Sequence, residues 1–210
     1  MKISVALLHV DSPFARGEAS RAARAILADL LRKNGILCDA ADLDRDERGR
    51  PYFTDPALHR EIDFNLSHTD KTVAVAIAIR ENEGETPRVG IDVEVPHPRI
   101  RKKQLAARFF SKNEIALLDE SADEETAFLS IWTRKEAYLK YRGTGLAGEM
   151  QTADTTTPSS LSVTLLTYPL RGMALSLCLS EGVAPPRAED FLVYSEIPET
   201  PSCKTDPTVV

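Results

Sequence analysis

The sequence predicts an α+β fold of two similar lobes, each a small, mostly antiparallel sheet packed on helices. Three observations predict it. A strand-like apolar run leads into a long amphipathic helical pattern and then three further strand-like runs. After a proline-rich break the order partly returns, with helical patterns followed by three more strand-like runs. With 42% hydrophobic and 28% charged residues among 210, the chain has ordinary globular composition and can bury a sizeable core.

The elements follow in order. "KISVALLH" reads as a strand. The apolar start is broken by His9 and Asp11 and lacks a small-residue cleavage site, which favours a strand over a secretory signal. "SPFARGEASRAARAILADLLRKNG" is a helix, with Ala22, Ile26, Leu30 and Lys33 about four apart and Gly35 as its stop. Residues 39–56, containing "DRDERGRPYFTDP", read as an ordered polar loop. "EIDFNLSH", "KTVAVAIAIR" and "RVGIDVEV" are strands, with "ENEGETP" as a hairpin connection between the last two. "VPHPRI" reads as a hinge. It divides an N-terminal lobe, 1–97, from a C-terminal lobe, 98–197. The second lobe has helices at "RKKQLAARFF", "SKNEIALL" and "DEETAFLSIWTRKEAYLKYRG", then strands at "LSVTLLTY", "MALSLCLS" and "DFLVYSEI". Residues 198–210 have the composition of a disordered tail.

Bulk chemistry narrows the function. A net charge of −6 argues against a nucleic-acid binder. No run approaches the ~18 apolar residues of a membrane span. Cys38, Cys178 and Cys203 are widely spaced with no CxxC pair, which argues against a disulfide framework and for a cytoplasmic protein.

Three constellations could carry chemistry. In "VGIDVE", Asp92 and Glu94 share one face of a strand whose other face is Ile91, Val93 and Val95. An edge strand with a solvated face is the plain explanation. Two carboxylates facing a cleft between lobes would instead repel unless a cation sits between them, and carboxylate oxygens suit Mg²⁺. In "WTRKEAYLKYRGTGL", Trp132, Glu136 and Lys140 share a helix face, with Lys135 beside Glu136; a simple Glu–Lys i,i+4 pair also fits. In "FNLSH", Ser67 and His68 end a strand. No metal-spaced His/Cys set suggests zinc, and no G-x-S-x-G suggests a serine hydrolase.

Taken together and in order, "RGRP", "FNLSH", "VGIDVE", "FFSKNE" and "WTRKEAYLKYRGTGL" resemble the 4′-phosphopantetheinyl transferases, in their larger, monomeric, surfactin-type branch. The resemblance runs from about Arg50 to Gly145. It implies two fused lobes in pseudo-twofold arrangement with the active site in the cleft between them. It also implies transfer of the phosphopantetheine arm of coenzyme A to a serine of an acyl or peptidyl carrier protein, releasing 3′,5′-ADP. Asp92, Glu94 and Glu136 would surround Mg²⁺, and Glu136 and Lys140 would be the catalytic residues. Lys135 and Lys140 would cradle the diphosphate. Ser67 and His68 would meet coenzyme A phosphates, with Arg50 near the nucleotide and Arg21 on the 3′-phosphate, accompanied by Arg24 and Arg16. Glu114 matches a family acidic position, yet Ser111-x-x-Glu114 is also a capping box. The basic stretch from Arg99 to Lys112 would dock an acidic carrier. The competing readings are a coenzyme A or carrier-binding module without chemistry, and a metal-dependent phosphodiesterase.

Overall fold

The computed structural model describes residues 1–36, 43–145, 150–170 and 172–199. The fold is mixed α+β, with two small sheets each packed on its own helix. Strand β1 (Lys2–His9) opens the chain, and helix α1 (Glu18–Lys33) buries Ala22, Ile26 and Leu30, as the spacing predicts. The expected loop around residues 43–56 is instead a hairpin, β2 (Leu43–Arg45) and β3 (Pro51–Phe53). The Asp46 carboxylate accepts from the backbone N–H of Arg48 and of Arg50, an Asx-type turn that adds to the backbone bonds Asp46 N–H to Arg50 and Gly49 N–H to Asp46. A short helix α2 (Pro56–Glu61) follows, capped by Asp55.

Strands β4 (Ile62–His68) and β5 (Thr72–Ile79) complete the first sheet, in the order β4-β5-β1-β9, where β9 (Leu192–Tyr194) joins parallel to β1. Alternation along β5 separates its faces by size. Val73, Val75 and Ile77 pack toward α1, while Ala74, Ala76 and Ala78 pack toward the second sheet. Small residues on that face let two sheets approach closely. The second sheet has the order β6-β8-β7, from β6 (Val89–Glu94), β7 (Val163–Leu170) and β8 (Met173–Ser180). The expected β5–β6 hairpin is therefore not formed: the polar connection carries the chain from one sheet to the other. β6, from residues before the expected hinge, lies in the C-terminal sheet, and β9 crosses back to the first. The tail expected at 198–210 falls, from residue 200 on, outside the described residues.

Helices α3 (Lys102–Phe109), α4 (Lys112–Glu120) and α5 (Glu124–Arg142) follow β6 in the chain, and α5 packs on the second sheet. Ser111 and Glu114 form the capping box at α4. α5 lies directly on β6. A Cβ placed on Gly90 would sit 2.0 Å from the Ala137 carbonyl oxygen and 2.6 Å from the Tyr141 nitrogen, so only glycine permits this crossing. No helix among the described residues is long and apolar enough to cross a membrane.

β9 is clasped to the first lobe by a charged cluster. The buried Asp29 carboxylate accepts from Tyr194 (2.6 Å), pairs with Lys33 (2.7 Å) and bonds Arg32, while Lys33 also lies over the Tyr194 ring. Burial alone would push the Asp29 carboxyl up, but the hydrogen bonds from Lys33, Tyr194 and Arg32 outweigh it and hold it at about 2.

Two predictions follow from this packing. In an open strand, Gly→Ala stabilises by about 0.5–1 kcal/mol. Gly90→Ala should do the reverse and cost roughly 3 kcal/mol or more by overpacking, read as a lowered urea midpoint. An unchanged or raised midpoint would show that α5 does not touch β6. For Asp29 the folded pKa lies below the ordinary carboxylate value near 4, so its stabilisation is present above about pH 4 and is lost as pH falls toward about 2. Asp29→Asn should therefore lower the melting temperature at neutral pH, and the gap to the parent should close on acidification through that window. A gap that persists at the acid end would rule out the charged clasp.

Candidate active site

The site grows from the free edge of β6. As the outer strand of its sheet, β6 presents unpaired backbone groups to β4, itself an outer strand of the other sheet. Side chains, not ladder bonds, join them. Asp63 accepts from the Val89 N–H (2.8 Å), Asn65 from the Ile91 N–H (2.9 Å) and Ser67 from the Val93 N–H (3.3 Å). On the acceptor side, Arg50 donates to the Val89 carbonyl (3.1 Å) and Lys140 to the Ile91 carbonyl (3.2 Å). Arg50 also pairs with Asp63 at 2.7 Å.

The C-terminus of α5 is fixed by arginines. Arg50 donates to the Lys140 carbonyl, Arg88 to those of Tyr141 (2.6 Å) and Arg142 (3.3 Å), and Arg48 to that of Gly143 (3.2 Å). These carbonyls lie at the negative dipole end of the helix, where cations suit them; only that of Lys140 also accepts a cap N–H, from Gly143 (3.2 Å). Gly143 supplies the left-handed stop, with φ of 70°. Burial, and then the nearby Arg50 charge, pull the Arg88 pKa down.

This scaffold brings Asp92, Glu94, Glu136 and Lys140 together. Asp92 is buried. Its Oδ1 accepts from Ser67 (2.8 Å) and Lys140 (2.7 Å), and its Oδ2 is buried with no hydrogen-bond partner among the described residues. Burial pushes the Glu136 carboxyl up to about 7, with the Asp92 charge adding and Lys140 opposing. Glu94 is likewise pushed up to about 7 by burial, then by Asp92 and Glu136, against Lys140 and a hydrogen bond with Trp132. Asp92 thus raises both glutamates and Glu136 raises Glu94, while Lys140, paired with Asp92, opposes both shifts. Among the described residues no three His, Cys, Asp or Glu side chains are already drawn together as a metal cage. The orphaned Asp92 oxygen and the all-oxygen donor set nevertheless fit a hard divalent cation.

Beside the carboxylates lies a cavity of about 370 Å³, lined from both halves of the chain. Arg24, Arg45, Arg48, Arg50, His68 and Lys140 line it, as does Glu136. Arg24, rather than Arg21, reaches it from α1; Arg21 is exposed and outside the lining. The sequence reading missed Arg45 and Arg48 because residues 43–53 were read as a loop. The D-x-x-G turn of Asp46 and Gly49, flanked by Leu43 and Phe53, is the hairpin signal that could have found them.

Two expected ligands are placed elsewhere. His68 lines the cavity, whereas Ser67 is buried, its hydroxyl bonded to Asp92 and to the Val93 N–H of β6. Lys135 is a clearer correction. Its ammonium is fully buried, 2.6 Å from Glu114 and bonded to the Ala153 carbonyl. The other Glu114 oxygen accepts from the Thr155 N–H (2.9 Å) and hydroxyl (2.7 Å). Lys135 and Glu136 are neighbours on a helix, about 100° apart, so turning Glu136 to the cleft turns Lys135 into the core. Glu114 therefore serves as both cap and buried counter-ion. In the basic stretch, Lys102 is engaged by Glu125, while Arg101, Lys103, Arg108 and Lys112 are exposed.

The carboxylates of β6 and α5 beside an arginine-lined cavity have the chemistry to suit a phosphate-rich ligand with a hard cation. Comparison with known proteins agrees with the family read from the motifs: residues 88–185 match the model of the 4′-phosphopantetheinyl transferase superfamily. The chain is 42% identical over 119 residues to the 4′-phosphopantetheinyl transferase AcpT of Salmonella typhimurium, covering 56% of this chain and 57% of that one. It is 38% identical to AcpT of Escherichia coli K12 over 134 residues, 63% of each chain. It is 33% identical to the transferase Sfp of Bacillus subtilis over 133 residues, 59% of this chain and 54% of that one. The matched stretches thus span only about half to three fifths of those relatives' lengths. The solved holo-[acyl-carrier-protein] synthase of Thermotoga maritima aligns at 22% identity with a TM-score of 0.33, covering 45% of this chain and 62% of that one, too weak a likeness to carry an argument.

The buried Lys135–Glu114 pair generates a test. Removing one partner of a buried pair costs about 3–5 kcal/mol, because the other charge is left uncompensated. Lys135→Met should lower unfolding free energy by that order, and Lys135→Met with Glu114→Leu should recover part of it. A Lys135→Met protein of unchanged stability but weakened coenzyme A binding would return Lys135 to the ligand set.

Proposed function

We propose that this chain transfers the 4′-phosphopantetheine arm of coenzyme A to a serine hydroxyl of an apo carrier protein, leaving 3′,5′-ADP. The observation that carries the proposal is the acidic cluster of Asp92, Glu94 and Glu136, held with Lys140 at the edge of a cation-lined cavity. The names of the similar proteins support the same activity.

In this reading the serine oxygen attacks the pantetheine-side phosphorus. A P–O bond forms, the bond to the bridging oxygen breaks, and 3′,5′-ADP leaves with the electron pair. The serine proton passes to Glu136, directly or through a water; the raised pKa of its buried carboxyl suits it to receive one. Lys140 offsets charge on the diphosphate. Arg24, Arg45, Arg48 and His68 hold the nucleotide phosphates, and Arg50 shapes the floor between them. Asp92, Glu94 and Glu136 would hold Mg²⁺, which when bound supplies charge neutralisation on the diphosphate. The first sheet with α1 and the β2–β3 hairpin then contributes most of the coenzyme A surface, and α5, packed on the second sheet, the catalytic residues. The exposed cations of the Arg99–Lys112 stretch face an acidic carrier, and the protein works as a cytoplasmic monomer.

The test is mass spectrometry of apo acyl and peptidyl carriers incubated with the protein, coenzyme A and Mg²⁺. A carrier gaining the phosphopantetheine mass, with equimolar 3′,5′-ADP, is the expected result. Asp92→Ala should abolish it while leaving the melting curve two-state. Release of 3′,5′-ADP without carrier would identify a phosphodiesterase, and tight coenzyme A binding without transfer to any carrier would identify a binding module.

A further inference from the structure

We infer that Ser67 is a positioning residue that sets the Asp92 carboxylate for a divalent cation, rather than a ligand of the phosphorylated substrate. The inference rests on the proposed metal role of Asp92. A serine hydroxyl has one proton to donate. That proton is committed to Asp92 Oδ1 at 2.8 Å, while the oxygen accepts the Val93 N–H at 3.3 Å. The side chain is buried, on the strand face opposite His68. Ser67 therefore links the two strands at the point where the site begins: one bond fixes the backbone just beyond Asp92, the other fixes its carboxylate. Lys140 donates to the same oxygen, so two donors converge on Oδ1. The carboxylate plane is thereby set and Oδ2 is left buried without a partner among the described residues. That asymmetry is what a one-oxygen ligand to a hard cation requires, and partners that orient metal-binding groups in this way commonly change metal affinity 10–100-fold when removed.

Asn65 supplies the control. It makes the equivalent bond to β6 one rung away, to the Ile91 N–H, without touching Asp92. Mn²⁺ binding is read by electron paramagnetic resonance of the free ion, with and without coenzyme A, and coenzyme A binding by calorimetry in chelator. Ser67→Ala is expected to weaken Mn²⁺ binding by about 10-fold or more and to leave metal-free coenzyme A affinity unchanged. Ser67→Thr, which keeps the hydroxyl, is expected to restore most of it, and Asn65→Ala to leave Mn²⁺ affinity close to the parent's. If Ser67→Ala loses coenzyme A affinity and keeps Mn²⁺, or if Asn65→Ala loses Mn²⁺ equally, Ser67 does not position Asp92. Asp92→Asn separates the two levels. If it weakens Mn²⁺ binding while Ser67→Ala does not, only this inference fails. If it binds Mn²⁺ as the parent does, or if the parent binds none under either condition, the metal reading fails and this inference with it.

Discussion

The unpaired edge of β6 is the constraint on which the site depends. An outer strand exposes N–H and C=O groups every second residue, and burying them unsatisfied costs free energy comparable to lost hydrogen bonds. Here β6 is buried against β4 of the first sheet, so those groups must find partners across the gap between the sheets. Asp63, Asn65 and Ser67 take the N–H groups of Val89, Ile91 and Val93; Arg50 and Lys140 take the carbonyls of Val89 and Ile91. A second strand would have done the same work with backbone atoms, but it would have covered the edge. Side chains satisfy the edge and still leave room at its end for a cleft.

The same solution places helix α5. α5 can cross β6 only because Gly90 has no side chain, and its C-terminal carbonyls are held by Arg48, Arg50 and Arg88 from the first half of the chain. On its far side, Lys135 is buried against Glu114. Rotation of α5 is thus opposed on both faces. Glu136 and Lys140, which share a face one turn apart, follow from that rotation. Arg50 belongs to both systems, since one guanidinium bridges Asp63, the β6 backbone and the end of α5. Lining the cavity and supporting its floor are therefore one role for this residue.

Much of this was legible in the sequence, for identifiable reasons. Strands with strong alternation, such as 72–79, and the long helix ending at Gly143 announce themselves by period and stop signal. The face shared by Asp92 and Glu94, and that shared by Glu136 and Lys140, were legible from spacing, while the roles proposed for them came from the resemblance of the motifs. What failed needed the other partner. The hairpin expected between β5 and β6 assumed that successive strands share a sheet, whereas the alanine face of β5 lets a second sheet pack there. Lys135 was read as a phosphate ligand because sequence spacing cannot reveal that Glu114, 21 residues away, waits in the core for it. Arg45 and Arg48 were hidden because the strands flanking their turn are only three residues long and the turn leans on the Asp46 side chain as well as on backbone bonds.

The charge arrangement explains why so much support surrounds so few atoms. Three carboxylates that repel one another, two of them with raised pKa values, oppose folding unless something holds them in place. Lys140 offsets only one unit of that charge. The remainder is opposed by structure: the rungs of β4, the arginines at the end of α5, the buried ion pair behind it and the close contact at Gly90. Each of these lies outside the carboxylate cluster and favours the folded arrangement. The cluster itself favours anything that brings positive charge. In the proposed reading a bound cation would relieve that repulsion, so affinity for the cation and stability of the folded cleft would be two readings of the same interaction.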